Sequence, residues 1–131
     1  MENLFIDETH SSPSVKLDAE KHVILFEGDS RPEDVQEFYI PILHWFEAYS
    51  KYLANCSADI TLKCEFKLGY FNSSSSKYVL DVMRCIKSIS AENSNVQASI
   101  FWYYEEMDED MFDSGKEYEK IVGGDFNFIK L

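Results

Sequence analysis

The chain has 131 residues, 45% of them apolar and 15% aromatic, which excludes a disordered or collagen-like polymer and supplies one domain with a core. Its 24 acidic side chains outnumber 12 basic ones, a net charge of −12. That balance argues against nucleic acid and anionic membrane as partners, since both demand clustered Lys and Arg. The three cysteines, Cys56, Cys64 and Cys85, show no C-x-x-C spacing and read as reduced thiols. No basic segment followed by an apolar one marks a leader, and no apolar run approaches the roughly 20 residues that cross a bilayer. A single cytoplasmic domain over residues 1–131 is therefore expected.

Leu4-Phe5-Ile6 opens as a short strand, and His10-Ser11-Ser12-Pro13 reads as a turn. Val15 and Leu17 alternate with polar neighbours, and Val23-Ile24-Leu25-Phe26 follows across Asp18–Lys21, predicting an N-terminal hairpin. Gly28 to Pro32 ends that strand and places Pro32 at the first position of a helix. Val35, Phe38, Tyr39, Ile42, Phe46, Tyr49 and Leu53 recur at spacings of three and four, an amphipathic helix of about five turns. Pro41 inside it predicts a kink or a short first segment.

Ile60, Leu62, Cys64, Phe66 and Leu68 then alternate with Asp59, Thr61, Lys63, Glu65 and Lys67 as a strand. A second helix follows the serine run 73–76, with Tyr78, Val79, Val82, Met83, Ile86 and Ile89 inward and Lys77, Asp81, Arg84 and Ser88 outward. Lys77 and Asp81 are placed to pair at i,i+4. Val96 to Tyr104 is an apolar strand, Met107 to Val122 a helix stopped by Gly123-Gly124, and Phe126 with Phe128 a last strand. The order β-β-β-α-β-α-β-α-β predicts an α/β domain, its mixed sheet combining the antiparallel hairpin with parallel, right-handed βαβ crossovers.

The sharpest local feature is Tyr70-Phe71-Asn72 running into Ser73-Ser74-Ser75-Ser76 between a strand and a helix. Hydroxyls at a helix start cap free backbone N–H groups, but one serine suffices for that. A helix start also accommodates an anion, so a phosphate on Ser73 or Ser74 is the functional reading beside the plain cap. Where such a turn gates binding, the contact patch includes Asn72 and the polar face of Lys77, Asp81 and Arg84. The aromatic surface around Trp45 and Tyr49 is the other candidate.

The acidic run Glu105–Asp110 lacks the glycine and spacing of a calcium loop and reads as a helix start, with no metal site. His10, His22 and His44 are scattered, so a small serine-dependent enzyme requires folding to bring one of them to Ser73. No nucleophile elbow, phosphate-binding loop or dinucleotide fingerprint is present, and no cofactor is expected.

Over its whole length the chain resembles the SiaC family of bacterial regulatory phosphoproteins. The resemblance is carried by Ser12-Pro13, Gly28-Asp29-Ser30 with Pro32-Glu33, Phe38-Tyr39-x-Pro41-Ile42-Leu43, and Tyr70-Phe71-Asn72-Ser73-Ser74-Ser75. It continues through Trp102-Tyr103-Tyr104 and the Asp108-Glu109-Asp110-Met111 run to Gly115. It implies a fold similar to STAS domains and a non-enzymatic switch in signal transduction. It also implies a dedicated Ser/Thr kinase and a PP2C-type phosphatase as partners. The unphosphorylated form is implied to bind and activate a diguanylate cyclase, raising cyclic di-GMP. A STAS-type anti-sigma-factor antagonist is the alternative output. The family's acceptor threonine aligns with Ser73, with Ser74 as the alternative.

Overall fold

The computed structural model describes all 131 residues. Strands β1 (Leu4–Ile6), β2 (Ser14–Asp18) and β3 (Val23–Ser30) form an antiparallel meander. Helix α1 (Val35–Ala54), β4 (Ile60–Phe71), α2 (Ser73–Glu92), β5 (Val96–Tyr104), α3 (Glu109–Val122) and β6 (Asp125–Lys130) then alternate. The six strands lie in sequence order, and β3 through β6 are parallel. This is the expected α/β domain with a mixed sheet.

Each crossover advances one strand in the same direction, so right-handed connections place all three helices on one face, with α2 between α1 and α3. The period-two pattern in every strand puts its apolar set beneath them. The register aligns these sets as transverse rows: Ile6, Val15, Phe26, Phe66, Trp102 and Phe128 in one, Leu4, Leu17, Ile24, Cys64, Ile100 and Phe126 in the next. Phe26 and Phe66 stack with centroids 5.2 Å apart. On the uncovered face Lys63 lies over Phe101 and Lys67 over Tyr103, each 4.8 Å from the ring centroid, so lysine stems shield these rings from water.

Several boundaries differ from the sequence expectations. Helix α1 begins at Val35, not Pro32, because the Asp34 carboxylate accepts from the Glu37 N–H at 3.0 Å and caps it there. It runs unbroken through Pro41, with no short first segment. Pro41 is on the exposed side, where water can take the Glu37 carbonyl that the missing N–H leaves free. Helix α3 starts at Glu109, capped by Asp108, and leaves Met107 outside it and 90% exposed. Trp45 and Tyr49 form no surface patch: both are buried, and the Trp45 indole N–H donates to the Glu2 carbonyl at 2.9 Å.

Helix α3 reaches the sheet through Gly115. A Cβ there would lie 2.4 Å from Trp102 Cδ1 and 2.7 Å from Phe128 Cε1. Trp102 is fully buried and donates its indole N–H to the Met111 carbonyl at 2.9 Å, so it cannot yield. Gly115→Ala should therefore destabilise the protein by about 1–3 kcal/mol, the usual cost of overpacking, despite alanine's better helix propensity. Thermal unfolding followed by circular dichroism checks this through a Tm lowered by several degrees.

Candidate functional site: the serine turn

Strand β4 runs past Leu68 across a register shift opposite Gly28 and Asp29. Gly28 holds φ at +119°, and Gly69 is the extra residue, skipped in the pairing. A Cβ on Gly69 would sit 2.8 Å from the Asp29 carboxylate, so glycine permits the close approach. The strand continues to Phe71, and the Asn72 N–H donates to the Ser30 carbonyl at 3.1 Å. These contacts fix where α2 begins.

The cap of α2 is Asn72, whose side-chain oxygen accepts from the Ser75 N–H at 2.9 Å. No serine does the capping; all four occupy the first helical turn, and two are committed. Ser75 is fully buried and its hydroxyl accepts from Ser30 Oγ at 2.9 Å, while Tyr39 Oη lies 2.6 Å from the same Ser30 Oγ. Ser76 Oγ donates to the Ser73 carbonyl at 2.8 Å, and the Tyr118 hydroxyl of α3 donates to the Ser76 carbonyl at 2.8 Å. Ser73 and Ser74 are exposed, and neither hydroxyl bonds to the protein.

Ser73, Lys77 and Leu80 form one wall of a groove of about 400 Å³, faced by Glu117, Tyr118 and Ile121 of α3. Ser74 does not line it. Lys77 is the one cation on its walls and forms no ion pair. Asp81 pairs instead with Arg84, at 4.0 Å, which corrects the expected Lys77–Asp81 pair. Arg84 borders a separate groove between α1 and α2, beside Glu47 and Lys51. Of the four predicted contact residues, Asn72 and Lys77 therefore adjoin Ser73, while Asp81 and Arg84 sit farther along the helix.

No histidine lines the groove at Ser73. His10 and His44 are exposed, and His22 Nδ1 is 2.6 Å from the Tyr49 hydroxyl, so a serine–histidine nucleophile is not assembled there. Only the second half of the acidic run is a helix start: Asp108 accepts from the Met111 N–H at 3.0 Å, Glu109 and Asp110 lie in the first turn, and Glu105 and Glu106 precede the helix. Sequence reasoning missed Ser30, the Tyr39 hydroxyl and Tyr118 as supports of the turn. One signal existed, because a tyrosine on a buried helix face needs a partner for its hydroxyl.

Burial raises the phenol pKa of both Tyr39 and Tyr118, opposed in Tyr39 by its Ser30 and Ser75 hydrogen bonds and in Tyr118 by the Ser76 one. The folded state thus holds these protons more tightly than the unfolded chain, where tyrosine titrates near pH 10. Their stabilisation is complete below about pH 10 and falls as pH rises through the folded values. Urea unfolding at successive alkaline pH values should show this loss, with a shallower slope in Tyr118→Phe. At neutral pH, Ser75→Ala should cost about 1–2 kcal/mol by stripping a partner from the buried hydroxyls. Ser73→Ala should stay within about 0.5 kcal/mol of wild type in the same assay.

Residues 6–131 match the SiaC family of regulatory phosphoproteins. An uncharacterized protein of Pseudomonas aeruginosa (strain UCBPP-PA14) is 26% identical over 120 residues, covering 92% of this chain and 90% of its own. SiaC of Pseudomonas aeruginosa, 23% identical, shares the fold over 100% of both chains with a TM-score of 0.83. A chain from the crystal structure of the diguanylate cyclase SiaD in complex with its activator SiaC, from the same organism, gives 0.84 at 23% identity. That match covers 98% of this chain and 99% of the other. The chain belongs to the SiaC family of regulatory phosphoproteins.

Proposed function

We propose that this chain is a non-enzymatic, cytoplasmic switch whose unphosphorylated form binds and activates a diguanylate cyclase. A dedicated Ser/Thr kinase phosphorylates Ser73, a PP2C-type phosphatase reverses it, and the modification breaks the cyclase contact. The relation to SiaC, named as the activator of the cyclase SiaD, supports the partner class. One observation carries the choice of acceptor. Of the four serines, Ser73 alone is both exposed and on the wall of the groove between α2 and α3.

A phosphate at that position needs no rearrangement. It meets the free N–H groups and the dipole of α2, worth about 0.5–2 kcal/mol. A partner packed over the same turn faces the opposite balance, since desolvating a dianion costs several kcal/mol unless cations meet it. Phosphorylation should therefore change binding far more than stability. In this reading Asn72 and Lys77 contact the partner beside Ser73, and Asp81 and Arg84 extend the same surface along α2.

Incubation with the cognate kinase should add one phosphate that maps to the 70–77 peptide and disappears in Ser73→Ala. Phosphate unchanged in that variant would move the acceptor to Ser74 or elsewhere. Calorimetric titration with the cyclase should show Ser73→Asp weakening the complex more than Ser73→Ala. The double variant Lys77→Glu with Arg84→Glu should slow association about tenfold at low salt, with the difference shrinking as salt rises. Unchanged association rates in the folded double variant would place the cyclase on another surface.

A further inference from the structure

Lys77 follows Ser73 by one helical turn on the same groove wall. It is exposed and forms no ion pair, although Asp81 follows at i+4 and Glu117 lines the facing wall. Two properties of helices explain this and give it a use. Side chains lean toward the helix N-terminus, so a lysine covers the turn that precedes its own Cα. For Lys77 that turn is the serine run.

The order of charges matters as well, because an acid N-terminal to its base is the stronger i,i+4 arrangement. Asp81 lies C-terminal to Lys77, the weaker order, and is engaged by Arg84, where the acid comes first. A phosphoserine at 73 would supply what Lys77 lacks: an anion one turn toward the N-terminus, on the same wall, with up to two charges.

We infer that Lys77 is the intramolecular counter-ion of a phosphate on Ser73. Phosphorylation then does two things at once: it adds an anion to the groove and withdraws the groove's one cation from any partner. The inference rests on Ser73 as the acceptor. The other groups facing the phosphate are on α3, where Glu117 opposes it and Ser114 is neutral. The Tyr118 phenol stays protonated and its hydroxyl is committed to the Ser76 carbonyl. A partner carboxylate seated on Lys77 in the unmodified protein would meet a dianion in the modified one.

The test uses the full chain with phosphoserine placed at position 73 during translation, so it does not depend on which serine the kinase selects. Peptide mapping of kinase-treated protein decides that point separately. Titration of the ³¹P resonance reports the second ionisation of the phosphate, ordinarily near pH 6. The midpoint should lie about 0.2–0.4 pH unit lower in the protein with Lys77 than in Lys77→Gln. The difference should fade in about 1 M salt. Lys77→Arg should keep the low midpoint, Arg84→Gln should leave it unchanged, and Glu117→Gln should lower it further. An identical midpoint with and without the Lys77 cation would overturn the inference.

Discussion

Three hydroxyls with no access to water, on Ser30, Tyr39 and Ser75, hold the working end of this molecule together. They come from β3, α1 and α2, and a buried hydroxyl without a partner is costly, so the three elements must converge where the groups can satisfy one another. No buried side-chain nitrogen or oxygen in the structure lacks a hydrogen bond. With Ser75 turned inward, the 100° step of the helix fixes its neighbours. Ser73, Ser76, Lys77 and Leu80 are carried to the wall facing α3, and Ser74 is left pointing to solvent. That Ser73 lines the groove and Ser74 does not thus follows from the burial of Ser75.

The same end of the sheet gathers the starts of all three helices, because the parallel strands all finish there. Each start is capped in the same manner, Asp34, Asn72 and Asp108 accepting from the N–H three residues on. Their first turns differ. Glu37 follows in α1 and Glu109 with Asp110 in α3, whereas α2 has no acidic residue in its first turn. In a chain with twice as many acids as bases, the first turn of α2 carries no carboxylate of its own, and Glu117 across the groove is the one acid on its walls. Added charge there meets less local repulsion than at either neighbouring helix.

The alternation 60, 62, 64, 66, 68 identifies one central strand, because a side-chain period of two has no competing explanation over that length, and the β-branched and aromatic residues from Val96 to Tyr104 identify its neighbour. Helix faces are equally legible from the spacing of Val79, Val82, Met83, Ile86 and Ile89. What the sequence leaves undecided are contests between local alternatives. Pro32 and Asp34 can each begin α1, and the capping hydrogen bond decides. Lys77 and Arg84 compete for Asp81, and charge order and distance decide. Trp45 is exposed or buried according to where the N-terminal residues lie, and Glu2 settles it through the indole N–H. The groove is not legible, since one wall is α3, some 40 residues from Ser73 and placed by tertiary contacts such as Gly115 on Trp102 and Tyr118 on Ser76.

That packing also limits how the site can respond to modification. Gly115 brings α3 close to the sheet, and the Tyr118 hydroxyl one turn later ties α3 to the Ser76 carbonyl in the first turn of α2. The two walls of the groove are therefore joined by a hydrogen bond between them. Tyr118 is itself packed edge-on against Trp102, with centroids 5.5 Å apart, so the tie is anchored in the core. Opening the groove would break this hydrogen bond and disturb the packing of Tyr118 against Trp102, a cost that the fraction of a kcal/mol expected from a surface ion pair does not offset. A phosphate on Ser73 is left with a local effect: it changes the charge and hydration of a groove whose shape the core has already fixed. In the proposed switch, regulation through this turn is then chemical rather than conformational, acting through what a partner must desolvate when it docks.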